Sequence, residues 1–391
     1  MPGYELFGEE ERQSINDLFD INGGILFAHG FDAMRKGVYR VREFEQAMAR
    51  KVGAGYAQAV SSGTAALRVA IEALGLRPGD QVIIPAFTFV ATAEAVLQAG
   101  AELVIVDIDD SYTMDPAALE AAITPRTKAV IPVHMMGAPA DLGKITQIAA
   151  RHGLKVIEDS AQAVGGSYGG RYLGTIGDLG CYSFDAGKVL NTGEGGMVLT
   201  NNESFFKNAR GYHDHGHEYS TAVGRGQEGA IGVGFNYRMM EIQGCIGLAQ
   251  LAKLDLIIES QRANKSQLKN LLCASGHGWN FRRILDEGEI GDALIFKLPN
   301  RELTEQFLQK MKEVGLGTKN LPDAMRWHFA KHWSHMFQRF GCYATSHETQ
   351  WAKSADLLET SIAIPIMVKM TPERIEEVAS KLNAIAAELG L

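Results

Sequence analysis

Residues 81–106 read QVIIPAFTFVATAEAVLQAGAELVIV, a strand, a helix and a second strand in immediate succession. The runs 81–84 and 103–106 are almost continuously apolar and rich in Val and Ile, as strands covered on both faces of a parallel sheet require. Residues 91–99 between them have the length and spacing of a helix that crosses over from one parallel strand to the next. Pro85, Thr88, Thr92 and Glu94 interrupt the apolar stretch 82–101, so it is not a membrane span. Working outward, short apolar runs recur at 57–60, 128–133, 154–157, 181–184 and 197–199, and helical patterns at 65–74, 116–122 and 141–152. Seven strands alternating with helices predict an α/β fold on one wide, mostly parallel sheet flanked by helices.

Residues 200–238 break this rhythm with GYHDHGHEYSTAVGRGQEG (211–229), too polar for core and long for a plain connection. A long helix over 239–273 follows, then a strand at 293–298 and helices at 302–314 and 372–387, which make a smaller α+β unit. We place a domain boundary near residue 260, with a large domain over 1–260 and a small C-terminal domain over 261–391. At 391 residues, 46% apolar and 21% charged, the chain can bury a large core. A net charge of −8 and the lack of a dense Lys/Arg run argue against nucleic acid as a partner. The opening MPGYELFGEEERQ has no apolar signal core, and Cys181, Cys245, Cys273 and Cys342 are single and scattered. A cytoplasmic protein is expected, its reduced thiols serving as buried small hydrophobes.

Four segments fall at the carboxyl ends of predicted strands, where open α/β sheets bind ligands. In SSGTAAL (61–67) a strand leads into a helix whose first N–H groups, at Gly63 and Thr64, and whose Thr64 hydroxyl suit a phosphate. A plain capped turn is the other reading. VIEDSAQAVGG (156–166) ends an apolar strand on Glu158 and Asp159, and a carboxylate so placed calls for a cation such as a protonated pyridine nitrogen. Gln162, one turn on, is in reach of a ring hydroxyl; a helix-capping acid is the alternative. CYSFDAGKVLNTGEGG (181–196) sets Ser183 and then Lys188 into a loop bordered by glycines. An amine that forms a Schiff base must be partly desolvated and fixed, which this loop supplies and the amphipathic settings of Lys144, Lys207, Lys253 and Lys310 do not. A structural lysine in a glycine loop remains the rival. In GVGFNYRMMEIQG (232–244), Asn236 and Arg238 precede the long helix, where a helix cap also accounts for them.

Together, SSGTAAL, PAFTFV, IPVHMMG, EDSAQA, GDLGCYSF with its lysine and TGEGG, and GFNYRM resemble the DegT/StrS family of sugar aminotransferases, pyridoxal 5'-phosphate enzymes of fold type I. The motifs match in order and spacing over about residues 1–255. The resemblance implies that Gly63, Thr64 and Ser183 hold the cofactor phosphate, Phe89 stacks on the ring, Asp159 pairs with the ring nitrogen and Gln162 meets the ring oxygen. Lys188 would carry the cofactor as an imine and shuttle the proton. Asn236 would reach the phosphate of a neighbouring subunit, which implies a homodimer with shared active sites. Sugar 3-dehydratases of the family have histidine at the lysine position, so Lys188 implies amino transfer from L-glutamate or L-glutamine to a keto or aldehyde sugar in amino-sugar biosynthesis.

Asp185-Ala186-Gly187, where many members have His-Pro-x, and the run His213-Asp214-His215-Gly216-His217 look like the branch that aminates the C8 aldehyde of an octulosonate for lipopolysaccharide. A nucleotide-linked 4-keto-6-deoxy sugar is the alternative substrate. Asp185, His134, His213, His215 and Arg238 are the candidate substrate-binding residues. The alternating His213, His215 and His217 also invite a metal-hydrolase reading, but no further ligand cluster follows, so no metal is expected. A regulator that binds the cofactor without turnover is a further reading, which a glutamate half-reaction separates from an enzyme.

Overall fold

The computed structural model describes residues 2–343 and 349–391. Its strands are β1 (Tyr56–Val60), β2 (Gln81–Pro85), β3 (Glu102–Val106), β4 (Thr127–Val130), β5 (Lys155–Asp159), the short hairpin β6 (Ser167–Tyr168) and β7 (Arg171–Tyr172), β8 (Leu179–Ser183), β9 (Gly196–Thr200), β10 (Asn280–Phe281), β11 (Ala293–Lys297) and β12 (Ser361–Pro365). Seven of them form the main sheet in the order β1-β9-β8-β5-β4-β2-β3. Neighbours from β8 to β3 are parallel, and β9 runs antiparallel to both β8 and β1. The α/β architecture and the seven strands thus agree with the sequence pattern.

Three helices, α1 (Pro2–Glu5), α2 (Glu9–Asn22) and α3 (Arg40–Val52), precede the sheet, and the crossovers are α4 (Gly63–Ala73), α5 (Ala91–Gln98), α6 (Pro116–Ala122) and α7 (Leu142–His152). Asp115 caps α6 ahead of Pro116, and Asp141 caps α7, which ends at the left-handed Gly153. Strand side chains alternate between two cores. Val82 and Ile84 pack with α4 and α5, whereas Ile83 packs with Leu119 of α6 and Ile145 of α7. Burial on both faces is why these strands read as continuous apolar runs.

Two local expectations are corrected. Residues 203–212 are not loop but helix, α8 (Glu203–Tyr212), started by Asn202, whose side chain accepts from the N–H groups of Ser204 and Phe205 at 2.9 and 3.1 Å. Its apolar stripe is short, and Ala209 and Tyr212 bury it in the main core. Cys181 and Cys245 are buried, but Cys273 is exposed at the last position of the following helix and Cys342 is half-buried.

That helix, α9 (Glu241–Cys273), runs unbroken through residue 260 and leads to the antiparallel sheet β10-β11-β12. α10 (Arg301–Glu313) and α14 (Pro372–Glu388) cover this sheet, their Phe307 and Leu382 sharing a core with Phe296 and with Leu268 of α9. Between them α11 (Met325–His328), α12 (Ser334–Phe340) and α13 (Ala352–Glu359) lean the other way, and Phe329, Trp333, Phe337 and Trp351 join the core of the main sheet. This folds residues 318–328 over the carboxyl ends of the parallel strands. Among the described residues no helix is long and apolar enough to cross a membrane.

Candidate active site

A cleft of about 700 Å³ opens where β2, β5 and β8 end and α4 begins, and its far wall is built by Asp292, Lys319, His328 and Ile366. At its inner end, Ser62 caps α4 by accepting from the Ala65 N–H at 3.1 Å. The N–H groups of Gly63 and Thr64 have no partner among the described residues, so a helix N-terminus faces the cleft with donors to spare. Ser183 closes over them. A Cβ on residue 63 would lie 2.6 Å from the Ser183 Cβ, so glycine is what lets β8 approach the helix end. Gly63→Ala is therefore expected to cost about 1–3 kcal/mol in overpacking. Thermal melts check it, with a parallel loss of phosphate-bearing ligand.

Asp159 ends β5, almost fully buried in the cleft floor. Thr92 Oγ1 donates to Oδ2 at 2.8 Å and the Ala161 N–H to Oδ1 at 3.1 Å. Burial pushes this carboxyl above the ordinary carboxylate value, against the pull of those two hydrogen bonds and of Lys188 and His134 nearby. Gln162, at the next turn, accepts from the Met136 N–H at 3.1 Å, which leaves its amide N–H groups toward the cleft. Phe89 stands opposite, its ring tilted 54° to that of His328 at 5.3 Å.

Lys188 enters from the loop after β8. Asp185 shapes that loop by accepting from the Lys188 N–H with its carbonyl at 2.9 Å and from the Gly187 N–H with its carboxylate at 2.8 Å. The Lys188 amine itself makes no hydrogen bond or ion pair with any described residue. Burial lowers its pKa from the ordinary lysine value, and the acids Asp185 and Asp159 work in the other direction. A desolvated amine without a partner is a poor structural lysine and a good nucleophile.

Gly63, Thr64, Phe89, Asp159, Gln162, Ser183, Asp185 and Lys188 all line this one cleft. Other expected residues do not. His134 is fully buried behind the floor, donating to Glu158 at 3.1 Å and accepting from the Ala140 N–H at 3.0 Å, so no ring nitrogen is left for a substrate. Glu158 also accepts from the N–H groups of Gly174, Ile176 and Gly177, which makes it an anchor for the 173–177 turn. His213 lies beneath β1, donating to the Arg210 carbonyl at 2.5 Å and accepting from Gln58 at 3.1 Å, and burial lowers its pKa to about 4. His215 is exposed in left-handed backbone, and His217 donates to Glu228 at 2.9 Å. The three rings diverge, and among the described residues no group of three His, Cys, Asp or Glu converges as metal ligands would.

Arg238 is bound to Asp214 at 2.5 Å, and Arg225 and Tyr219 complete that buried carboxylate's shell. Burial opposes ionisation of Asp214, yet these three donors hold its carboxyl below the ordinary range. Asn236 is exposed beside them. Sequence reasoning missed Thr88, Thr92 and the whole far wall. Thr92 had a signal, a hydroxyl inside an otherwise apolar helix, whereas Asp292, Lys319, His328 and Ile366 belong to no local pattern.

A family model described as the DegT/DnrJ/EryC1/StrS aminotransferase family matches residues 32–383. The chain belongs to that family. Among relatives of the family, GDP-perosamine synthase of Caulobacter vibrioides is 45% identical over 218 residues, 54% of this chain and 56% of that protein. UDP-N-acetyl-3-dehydro-alpha-D-glucosamine 3-aminotransferase of Acidithiobacillus ferrooxidans is 44% identical over 225 residues, 56% of this chain and 58% of that one. The chain is thus matched over little more than half the length of these curated relatives. An aminotransferase from Psychrobacter cryohalolentis has a solved structure that covers 98% of both chains at 26% identity and a TM-score of 0.86. The NtdA protein of Bacillus subtilis, solved with bound cofactor PMP, covers 99% of this chain and 84% of its own at 26% identity and a TM-score of 0.82. DegT-family aminotransferases depend on pyridoxal phosphate.

Proposed function

We propose that this chain is a pyridoxal 5'-phosphate-dependent aminotransferase that moves an amino group from L-glutamate or L-glutamine to a keto or aldehyde sugar. One observation carries the reading: an unpartnered, desolvated Lys188 amine shares a cleft with the buried carboxylate of Asp159 and the free N–H groups of Gly63 and Thr64. These residues fit the cofactor. Gly63, Thr64 and Ser183 suit its phosphate, Phe89 and Gln162 its ring, and Asp159, raised by burial in want of a cation, its ring nitrogen. When bound, the cofactor supplies a reversible carrier for the amino group and an electron-withdrawing ring. Asp159 would hold that ring nitrogen protonated, and the Lys188 Nζ would hold the cofactor and, when freed from it, move the proton at the reacting carbon. Thr92 and the Ala161 N–H fix the Asp159 carboxylate, while Asp185 fixes the lysine loop.

Two chains are proposed to pair, with Asn236 contributing to the partner's phosphate site. Ile231, Val233 and Phe235 beside it are 47, 80 and 52% exposed, an apolar patch that a second subunit would cover. The relatives named for GDP- and UDP-linked sugars favour a nucleotide-linked keto sugar as acceptor. The second reading, the C8 aldehyde of an octulosonate for lipopolysaccharide, rests on the resemblance of Asp185-Ala186-Gly187 and the histidine run to that branch. The two domains divided near residue 260 and a cytosolic setting, to which free thiols are suited, belong to the same proposal.

The test is an absorbance spectrum of the protein loaded with pyridoxal phosphate, before and after L-glutamate, with borohydride trapping and peptide mapping. The expected result is a visible band that bleaches with the donor and a label on Lys188. Each candidate sugar is then offered to the bleached form, and the one that restores the band is the acceptor. A protein that takes up no pyridoxal phosphate would overturn the proposal.

A further inference from the structure

The chain ahead of α2 has no part in the chemistry above, yet it touches the machinery from behind. Gly3 is buried, and its N–H donates to the carbonyl oxygen of Lys188 at 3.1 Å. Among the described residues the other hydrogen bonds of loop 185–191 stay within the loop or reach only its flanks, Ser183 and Gly193, so Gly3 is where it is tied to a distant part of the chain. A Cβ on residue 3 would lie 2.7 Å from Val189 O, 2.8 Å from Asn191 Cβ and 2.9 Å from Lys188 O, so nothing larger than glycine fits between the N-terminal turn and the lysine loop.

Two residues on, the Glu5 carboxylate accepts from the N–H groups of Val368 and Lys369 at 3.0 and 2.9 Å. These follow Ile366 and Met367, which line the cleft opposite Lys188. The same wall is pinned from α9, where Gln261 and Asn264 donate to the carbonyls of Ile366 and Met367 at 2.9 and 2.8 Å. The carbonyl of Leu6 in turn accepts from Lys253 of α9 at 2.7 Å, and that ammonium also holds Glu10 and Glu11. Residues 3–6 therefore tie three parts together: the loop that carries the amine, the wall that faces it, and the helix that joins the two sheets.

We infer that Gly3 and Glu5 are positioning residues, and that the N-terminal turn holds the Lys188 loop in register with the wall at 365–369. The role given to the turn rests on the function proposed for Lys188; the clamp itself does not. The test is hydrogen exchange of the full chain without cofactor, for the wild type, Gly3→Val and Glu5→Ala. With the clamp released, amides in 186–191 and 366–369 should exchange roughly tenfold faster while the main-sheet strands stay unchanged, the pattern of a local opening. In the cofactor-loaded protein the pH midpoint of the visible band should move in the same two variants, and Glu5→Gln, which keeps one acceptor, should fall between Glu5→Ala and wild type.

Unchanged exchange at both segments in Glu5→Ala would overturn the inference, as would a rise spread evenly over the main sheet, which marks a general loss of stability. Glu5 is a half-buried side chain, so that variant carries the test even if Gly3→Val fails to fold. Because exchange is read without cofactor, failure of the clamp is distinguishable from failure of the aminotransferase reading.

Discussion

Lys188→Met should give a folded protein that transfers no amino group. The loss of activity follows from the removal of an amine that has no partner among the described residues and that is proposed as both attachment point and proton carrier. Losing both roles is expected to lower the rate by at least about 10⁴, on the scale of general acid–base catalysis alone. The fold should survive because methionine has nearly the same length and leaves no hydrogen bond unmade. Stability without cofactor should even rise at neutral pH. Burial puts the folded-state pKa of Lys188 below the unfolded value, so between the two the unfolded chain binds more protons and the wild type gains stability as pH rises. Below the lowered value the cost of the buried charge is fully present; above the ordinary lysine value near 10.4 it is gone. The Met variant has no such term. Its advantage in melting temperature should be largest on the acid side of that lowered value and should vanish as pH climbs past the ordinary one. Normal turnover in Lys188→Met would remove the lysine from the reaction, and a lower melting temperature at pH 7 would mean that the amine has a stabilising partner.

The main sheet was legible because its strands are covered twice. Ile83 faces α6 and α7 while Val82 and Ile84 face α4 and α5, and no polar residue fits at either kind of position. α8 was not legible, because only Ala209, Gly211 and Tyr212 of its ten residues are buried and its polar surround reads as loop. The side of the cleft built from strand ends and glycine turns could be read because Gly63, Asp159, Ser183 and Lys188 each stand at or just past the end of an element, where a short local pattern marks them. The placement of the histidine run was not legible, because alternation along a sequence implies one face only in an extended strand. Here a helix end, a left-handed residue and a turn send His213, His215 and His217 three ways. The far wall had no signal at all. Asp292 pairs with Lys319, and both meet His328 and Ile366 only after residues 318–328 fold back over the main sheet.

Asp159→Asn should separate the two uses of that side chain, since it keeps the shape and removes the charge. The hydrogen bonds can be rebuilt: the Asn oxygen accepts from the Ala161 N–H, and its amide donates to Thr92 Oγ1, which turns its own proton toward Thr88 Oγ1, 2.7 Å away. No buried polar group is left without a partner, so the melt should hold. Its pH dependence has a definite sign. Burial raises the folded-state pKa of Asp159, so the wild type without cofactor loses stability as pH rises from the ordinary carboxylate value through the raised one. The Asn variant should match the wild type near pH 4 and equal or exceed it at pH 7. Activity should move the opposite way. On the proposed role the ring nitrogen would lose the charge that keeps it protonated, and an electrostatic contact of this kind is worth about 3–4 kcal/mol, or 10²–10³ in kcat. The KM for the amino donor should change little, because the role proposed for Asp159 is toward the ring nitrogen rather than toward the donor. A variant with near-normal kcat and an intact melt would show that the ring nitrogen sits elsewhere in the cleft, whereas a variant that loses kcat and stability together would assign Asp159 to the fold.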